Sequence, residues 1–267
     1  MRNIAIIGGT GIYNPTTFKD FNMLEIRTPY GLVNCLQGEL FGNKITFITR
    51  HGSGHKTAPH KVNYRANIWA LKKMGITEIF ATTAVGSINE KMPAGTFVVC
   101  DQILDFTKSR INTFYDTPER GVVHVDFSYP YCPCLRHRVI NCLQKKAEPF
   151  TTHGTYVCTE GPRFETAAEI KMYKMLGGDV VGMTNMPESL LAREAEICYV
   201  NVSIVTNLAA GISKTLLSHA EVVAAMDNSI IRMNELIANF IAQSENIELP
   251  QDCTCHSALK EFGGFKL

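Results

Sequence analysis

Short apolar runs alternate with amphipathic stretches along this chain. Runs at Asn3–Gly8, Leu32–Gln37, Lys44–Thr49, Glu78–Thr83, Thr96–Asp101, Gly154–Thr159, Asp179–Met183 and Cys198–Thr206 read as strands. Many are apolar almost without interruption, the pattern of strands covered on both faces. Helical spacing marks Val62–Met74, Pro133–Lys146, Glu165–Leu176, Pro187–Ala195 and His219–Ala242. In the last, Val222, Val223, Met226, Ile230, Met233, Ile237 and Phe240 paint one face. Strands alternating with helices predict an α/β fold, a mainly parallel or mixed central sheet flanked by helices. No repeat, low-complexity tract or linker interrupts it, so residues 1–267 read as one domain. The polar, glycine-containing stretch 249–267 is expected to be a loosely packed extension.

Composition narrows the function classes. Hydrophobic residues make up 45% and charged residues 19%, an ordinary globular balance with material for a sizeable core. The 26 basic and 25 acidic residues leave a formal charge of +1, and no basic cluster compensates locally. Neither a nucleic-acid partner nor a membrane is expected. No stretch approaches the ~20 apolar residues of a membrane span. No cleavage-site pattern follows the short N-terminal apolar run, so the expected location is cytoplasmic. Nine scattered cysteines fit a reducing compartment. Cys132/Cys134 and Cys253/Cys255 are C-x-C pairs rather than the C-x-x-C of common zinc sites, and no metal is expected. Cys253 and Cys255 leave open a redox-sensitive or stabilising bond. His55 and His60 sit in a loop without acidic partners and do not read as metal ligands.

Candidate chemistry gathers where strands end. Gly8-Gly9-Thr10-Gly11 follows the first strand, and glycines there let backbone N–H groups and the Thr10 hydroxyl turn toward an anion. A tight structural turn explains the same residues. Arg50 and His51, in Thr49-Arg50-His51-Gly52, offer a planar donor fork and an imidazole to an anion. Taken alone, they read rather as a surface arginine and a satisfied histidine. Ala81–Ser87 carries Thr83 and Ala84 into a glycine turn. Ligands of open α/β sheets collect outside the carboxyl ends of strands, which joins these three segments into one hypothesis. Three further segments are Glu160–Thr166, Gly182–Glu188 and Val205–Gly211. Bland readings exist for each: Glu165 as a helix-start charge, Met183 as core filling, Asn207 as a turn residue.

Together, GGTGIY, TRHG, KVNYRANIWALK, ATTAVGS, EGPRFET, GMTNMPE and VTNLAAG closely resemble the trimeric purine nucleoside phosphorylase and methylthioadenosine phosphorylase family, from Ile4 to about Ile237. The resemblance implies phosphorolysis of a purine nucleoside to free base and ribose 1-phosphate, with inorganic phosphate as co-substrate and no cofactor. It places phosphate on Thr10, Arg50, His51, Thr83, the Ala84 backbone and Thr184. It lays the ribose over Met183 and the base near Phe164, Glu165, Asn207 and Ala209. Glu165 can accept from the N1–H of a 6-oxopurine, whereas adenine N1 is itself an acceptor. Asn207 can donate to N7 or O6, where the adenosine-cleaving branch carries Asp. Both choices imply the 6-oxopurine branch, with inosine and guanosine as substrates and 5′-methylthioinosine or 5′-methylthioadenosine as alternatives. His219 aligns with a histidine at the ribose 5′-hydroxyl, with a plain helix-start histidine as the lesser alternative. His124, in Gly121–His124, matches a segment lent to a neighbouring subunit of a trimer or dimer of trimers. A reading from another class, a non-catalytic nucleotide binder using Gly8–Gly11, needs an acidic ribose partner about 20 positions on. Asp20 is too early for it and Glu25 lies in a different context.

Overall fold

Residues alternate sides along the first strand, and both sides are buried. In β1 (Asn3–Gly8), Ala5 and Ile7 point into one apolar cluster, Ile4 and Ile6 into a second. A strand with two buried faces belongs in the middle of a layered α/β structure. The computed structural model describes residues 2–9, 12, 20–52, 54, 56–146, 149–212, 219–243 and 253–267, and for 219–228 the backbone alone. It places β1 inside an eleven-stranded mixed sheet.

The sheet begins at an antiparallel edge, β2 (Asn22–Thr28) with β3 (Gly31–Leu40), joined by the two residues Pro29 and Tyr30. β3 pairs antiparallel with β4 (Asn43–Thr49), which runs parallel to β1. β1 lies parallel to β5 (Glu78–Ser87), and β5 lies parallel to β11 (Cys198–Leu208). β6 (Phe97–Val99) pairs with β11, and the short β8 (Phe150–Thr151) with β6. On its late half β5 also receives β10 (Val180–Gly182), antiparallel. β9 (Thr155–Thr159) and β7 (Gln102–Phe106) continue outward from β10 in parallel.

Helices cover both faces. α1 (Tyr64–Lys73) and α4 (Asn185–Glu194) bury Ile68, Trp69, Leu191 and Ala192 on one side. α2 (Pro133–Gln144) and α5 (His219–Ala242) bury Leu135, Val139, Met233, Ile237 and Phe240 on the other. α3 (Ala167–Met175) packs Ile170 and Tyr173 over the outer strands. Local chemistry sets the starts: Asn63 accepts from the Ala66 N–H at 3.1 Å, and Thr166 with Glu169 forms a capping box. Among the described residues, no helix is long and apolar enough to cross a membrane.

The predicted strands and helices are all present, with shifted ends. β2, β7 and β8 escape the sequence pattern. β2 exposes every second residue at the sheet edge, so its apolar positions never form a run. The end of the chain corrects an expectation. Residues 253–267 dock rather than trail: Leu259 is fully buried, and Phe265 packs its ring against Trp69 and Phe114 at centroid distances of 5.3 and 5.2 Å. Glu196 fastens this segment, accepting from the N–H groups of Leu259 and Phe265. Residues 249–252 lie outside the described set.

Candidate active site

The parallel strands β1, β4 and β5 end side by side, and the antiparallel arrival of β10 brings a fourth chain end to meet them. Arg50 follows β4 and is joined to β1 by its N–H, which donates to the Gly8 carbonyl at 3.0 Å. Its side chain turns inward and is almost wholly buried. Nε and one Nη donate to the two carboxylate oxygens of Glu188, both at 2.7 Å, and the other Nη donates to the Thr82 carbonyl at 2.9 Å. Burial alone would lower the Arg50 pKa, but the adjacent Glu188 carboxylate carries it above its ordinary value. Glu188 also accepts from the Tyr199 hydroxyl at 2.8 Å. One buried pair thus locks β4, β5, α4 and β11 together. The sequence pattern missed Glu188; the available signal was that a buried guanidinium needs a carboxylate, and GMTNMPE ends in one.

His51 places Nδ1 2.8 Å from the Thr57 carbonyl. A carbonyl only accepts, so Nδ1 carries the proton. Thr83 sits in a buried hydroxyl ring: Asn201 Nδ2 donates to Ser203 Oγ at 2.7 Å, Ser203 Oγ lies 2.9 Å from Thr83 Oγ1, and Thr83 Oγ1 is 3.3 Å from Asn201 Oδ1. Ala84, one residue on, is exposed at the same strand end. Thr184 is the residue before α4, yet its side chain makes no capping bond to that helix. Continuing the register of Val181 with Gly86 brings residue 184 alongside Thr83. Arg50, His51, Thr83, Ala84 and Thr184 therefore belong to one end of the sheet. Thr10 lies outside the described residues.

The residues expected at the base stand across the same strands. β11 carries a bulge between Val205 and Asn207, so Asn207 pairs with Gly86. A bulge re-aims the side chain next to it. Asn207 Nδ2 donates to the Leu208 carbonyl at 2.9 Å, and Thr206 Oγ1 donates to Asn207 Oδ1 at 2.7 Å. Since a carbonyl cannot donate, the amide's orientation is fixed by its neighbours. Ala209 is buried and donates its N–H to the Ser87 carbonyl. Three strands along the sheet from β11, past β5 and β10, Thr159 ends β9 and donates to Glu165 at 2.7 Å. Burial pushes the Glu165 carboxyl above its usual range, and the Thr159 hydrogen bond only partly opposes it. Phe164 beside it is exposed. Met183 is half-buried and lies under Gly161, where a Cβ would come within 2.5 Å of its sulfur. Gly161 has φ +63°, so both backbone and contact require glycine there.

One expected residue is not brought together with these. His124 is exposed, on the irregular segment between β7 and α2. His219 begins α5, and its side chain lies outside the described set. After β1 the next described element is the strand β2; Thr10, Gly11 and residues 13–19 lie outside the described residues.

Arg110 is a second residue that the sequence pattern did not reveal. Its guanidinium donates to the carbonyls of Met183 and Met186 at 2.7 and 2.5 Å and to those of Thr159 and Glu160 at 3.1 and 2.8 Å. It thereby clamps the two segments that carry Glu165 and Thr184. Leaving a buried acceptor unpaired costs about 1–3 kcal/mol. Arg110→Lys, which cannot span four carbonyls with a planar fork, is therefore expected to raise the substrate KM and lower Tm together. Unchanged steady-state kinetics and melting would remove this positioning role.

Known proteins resemble this chain over nearly its whole length. Residues 3–242 match the phosphorylase superfamily. A probable 6-oxopurine nucleoside phosphorylase of Dictyoglomus turgidum is 50% identical over 97% of this chain and 97% of its own. A probable S-methyl-5′-thioinosine phosphorylase of Thermodesulfovibrio yellowstonii is 44% identical over 96% of each chain. The solved methylthioadenosine phosphorylase of Schistosoma mansoni, in complex with adenine, superposes with a TM-score of 0.92 at 30% identity over the full length of both chains. With the match spanning nearly the whole sheet and every strand end described above, this chain belongs to the phosphorylase superfamily.

Proposed function

We propose that the protein cleaves the N-glycosidic bond of 6-oxopurine nucleosides, inosine and guanosine, with inorganic phosphate, releasing the base and ribose 1-phosphate. The observation that carries this is the fixed amide of Asn207, supported by the Glu165 carboxyl that burial raises above its usual range. One Nδ2 hydrogen is spent on Leu208; the other is directed to N7 or O6 of the base. Glu165 accepts from N1–H. Adenine shares N7 but lacks O6 and N1–H, presenting a 6-amino donor and an N1 acceptor instead.

The anion end follows the same logic. Glu188 already balances the charge of Arg50, so the pair supplies an oriented donor rather than net charge. Attraction for the dianion comes from the remaining guanidinium hydrogens, the Ala84 amide, the hydroxyls of Thr10 and Thr184, and His51. Thr83 can swing its proton from the long 3.3 Å contact with Asn201 to a phosphate oxygen, keeping its shorter bond to Ser203. Phosphate attacks C1′ on the face opposite the base, over Met183. The C1′–N9 bonding pair leaves with the purine, and Asn207 binds the charge that develops there. Phosphate is nucleophile and counter-charge in one, so the reaction needs no cofactor. His219 of this subunit and His124 of a neighbour complete the ribose 5′ end in a trimer or dimer of trimers. Nine cysteines scattered without the spacing of a disulfide framework suit work in the cytosol.

A 5′-methylthio substrate is the second reading, favoured by the thioinosine-named relative. Incubation with phosphate and inosine, guanosine, adenosine, methylthioinosine or methylthioadenosine separates the two by the base released. Preference for adenosine or methylthioadenosine would sink the 6-oxopurine reading, and undiminished cleavage without phosphate would make the enzyme a hydrolase.

Glu165 also gives a pH signature. Its pKa is raised, so as pH falls the carboxylate takes up its proton earlier than an ordinary glutamate and loses its ability to accept from N1–H. The acid limb of kcat/KM for inosine is expected above the usual carboxylate range, and Glu165→Gln is expected to alter that limb. A variant with reduced activity but an identical limb would show that another group titrates.

A further inference from the structure

Four cysteines from three distant parts of the sequence meet in one place. Cys132 precedes α2, Cys198 opens β11, and Cys253 and Cys255 lie on the docked C-terminal segment. Their sulfurs all fall within 4.8 Å of one another, and three of the four residues are buried. Cys132 Sγ and Cys198 Sγ stand 3.7 and 3.5 Å from Cys253 Sγ. A disulfide requires about 2.05 Å between sulfurs. A tetrahedral tetrathiolate centre with Zn–S bonds of about 2.3 Å has sulfur–sulfur edges of about 3.8 Å, and the observed spacings are close to those edges. Judged pair by pair along the sequence, C-x-C gave no zinc pattern; the fold supplies the other two ligands.

The charge around the cluster points the same way. Arg193 is buried, and its nearest carboxylate oxygen, on the largely exposed Asp126, is 3.8 Å away. Its donors go instead to the Asp126 carbonyl at 3.1 Å, Thr254 Oγ1 at 3.3 Å and Cys255 Sγ at 3.4 Å. A buried guanidinium aimed at a neutral thiol is poorly compensated. Aimed at a thiolate bound to metal, it has its counter-charge.

We propose that Cys132, Cys198, Cys253 and Cys255 form a structural site for one thiophilic divalent cation, zinc above all. On binding, four S–H bonds break and four Zn–S bonds form. Up to four protons pass to solvent, with no change of oxidation state. The centre then carries a charge of −2, which Arg193 reduces to −1. It lies at the amino end of β11, nine residues from Asn207, or about 30 Å at 3.3 Å per residue. Its role is therefore to pin the segment that inserts Phe265 between Trp69 and Phe114, rather than to take part in phosphorolysis.

The test uses the full-length enzyme purified anaerobically with its thiols reduced. Elemental analysis is expected to find about one zinc per chain, released on titration with an organomercurial. Exchange with Co²⁺ is expected to give the visible ligand-field bands of a tetrahedral tetrathiolate. Cys142→Ser, a buried cysteine outside the cluster, should keep the metal and the bands. Cys253→Ser/Cys255→Ser should lose both. The wild-type cobalt spectrum decides the matter even if a variant does not fold. Absence of zinc together with absence of cobalt bands would overturn the proposal. So would two disulfides among these four cysteines in the anaerobic protein, or metal retained by a folded double variant.

Discussion

Asn207→Asp lowers kcat/KM for inosine by about 10²–10³-fold, the usual cost of removing one donor to developing transition-state charge. The substitution keeps the side chain's shape and its bond from Thr206, which donates to Oδ1. It removes both Nδ2 hydrogens, one of which holds the Leu208 carbonyl, and adds a second carboxylate to the proposed base site. The loss should fall on the base, because Asn207 sits on the β11 bulge opposite Gly86 while the anion-facing residues end β4 and begin α4. Phosphate affinity, followed by titration without nucleoside, should change by far less than kcat/KM. Equal losses in both measurements would contradict the assignment. Gain of adenosine cleavage in the same variant would strengthen it, because Asp can accept from the adenine 6-amino group.

Removal of Glu188 has the largest expected effect on stability. Glu188→Ala strands Arg50 in a buried position with only the Thr82 carbonyl as a partner among the contacts described above. Breaking a buried pair in this way costs about 3–5 kcal/mol, which lowers Tm by on the order of 10 °C for a chain of this size. Glu188→Gln keeps an acceptor for one guanidinium bond and should fall between the variant and the wild type. The stranded charge gives phosphate a second role, so added phosphate should raise the variant's Tm by more than it raises that of the wild type. Calorimetric scans with and without phosphate check both statements. A wild-type Tm in Glu188→Ala would mean that the pair does not hold β4, β5 and α4 together.

Much of the fold was legible because its strands are buried on both sides. Ile4, Ile6, Ala5 and Ile7 have no solvent face to encode, so the apolar run survives in the sequence as a run. The edge strand β2 does have one, and it was lost among polar residues. The turn expected at Gly86 is overturned, since β5 runs through it to Ser87 with Gly86 paired to Val181 and Asn207. The glycine of EGPRFET, by contrast, was legible at Gly161, where positive φ and the contact with Met183 demand it. Glu188 and Arg110 were not, because an ion pair between residues 50 and 188, or one guanidinium serving carbonyls at 159, 160, 183 and 186, leaves no periodic trace. The same holds for the end of the chain. Its polar composition suggested looseness, yet two leucine- and phenylalanine-sized anchors and the Glu196 carboxylate hold it down.

The sequence by itself determined the layered α/β architecture, the covered strands, and the residue types available to an anion and a lactam edge. Those are local or periodic properties, set by side-chain size, polarity and backbone freedom. Tertiary structure alone decided which carboxylate answers Arg50, which way the Asn207 amide faces, and that four cysteines spaced over more than 120 residues share one small volume. These depend on where strands are placed beside one another, and chain separation carries no information about that distance.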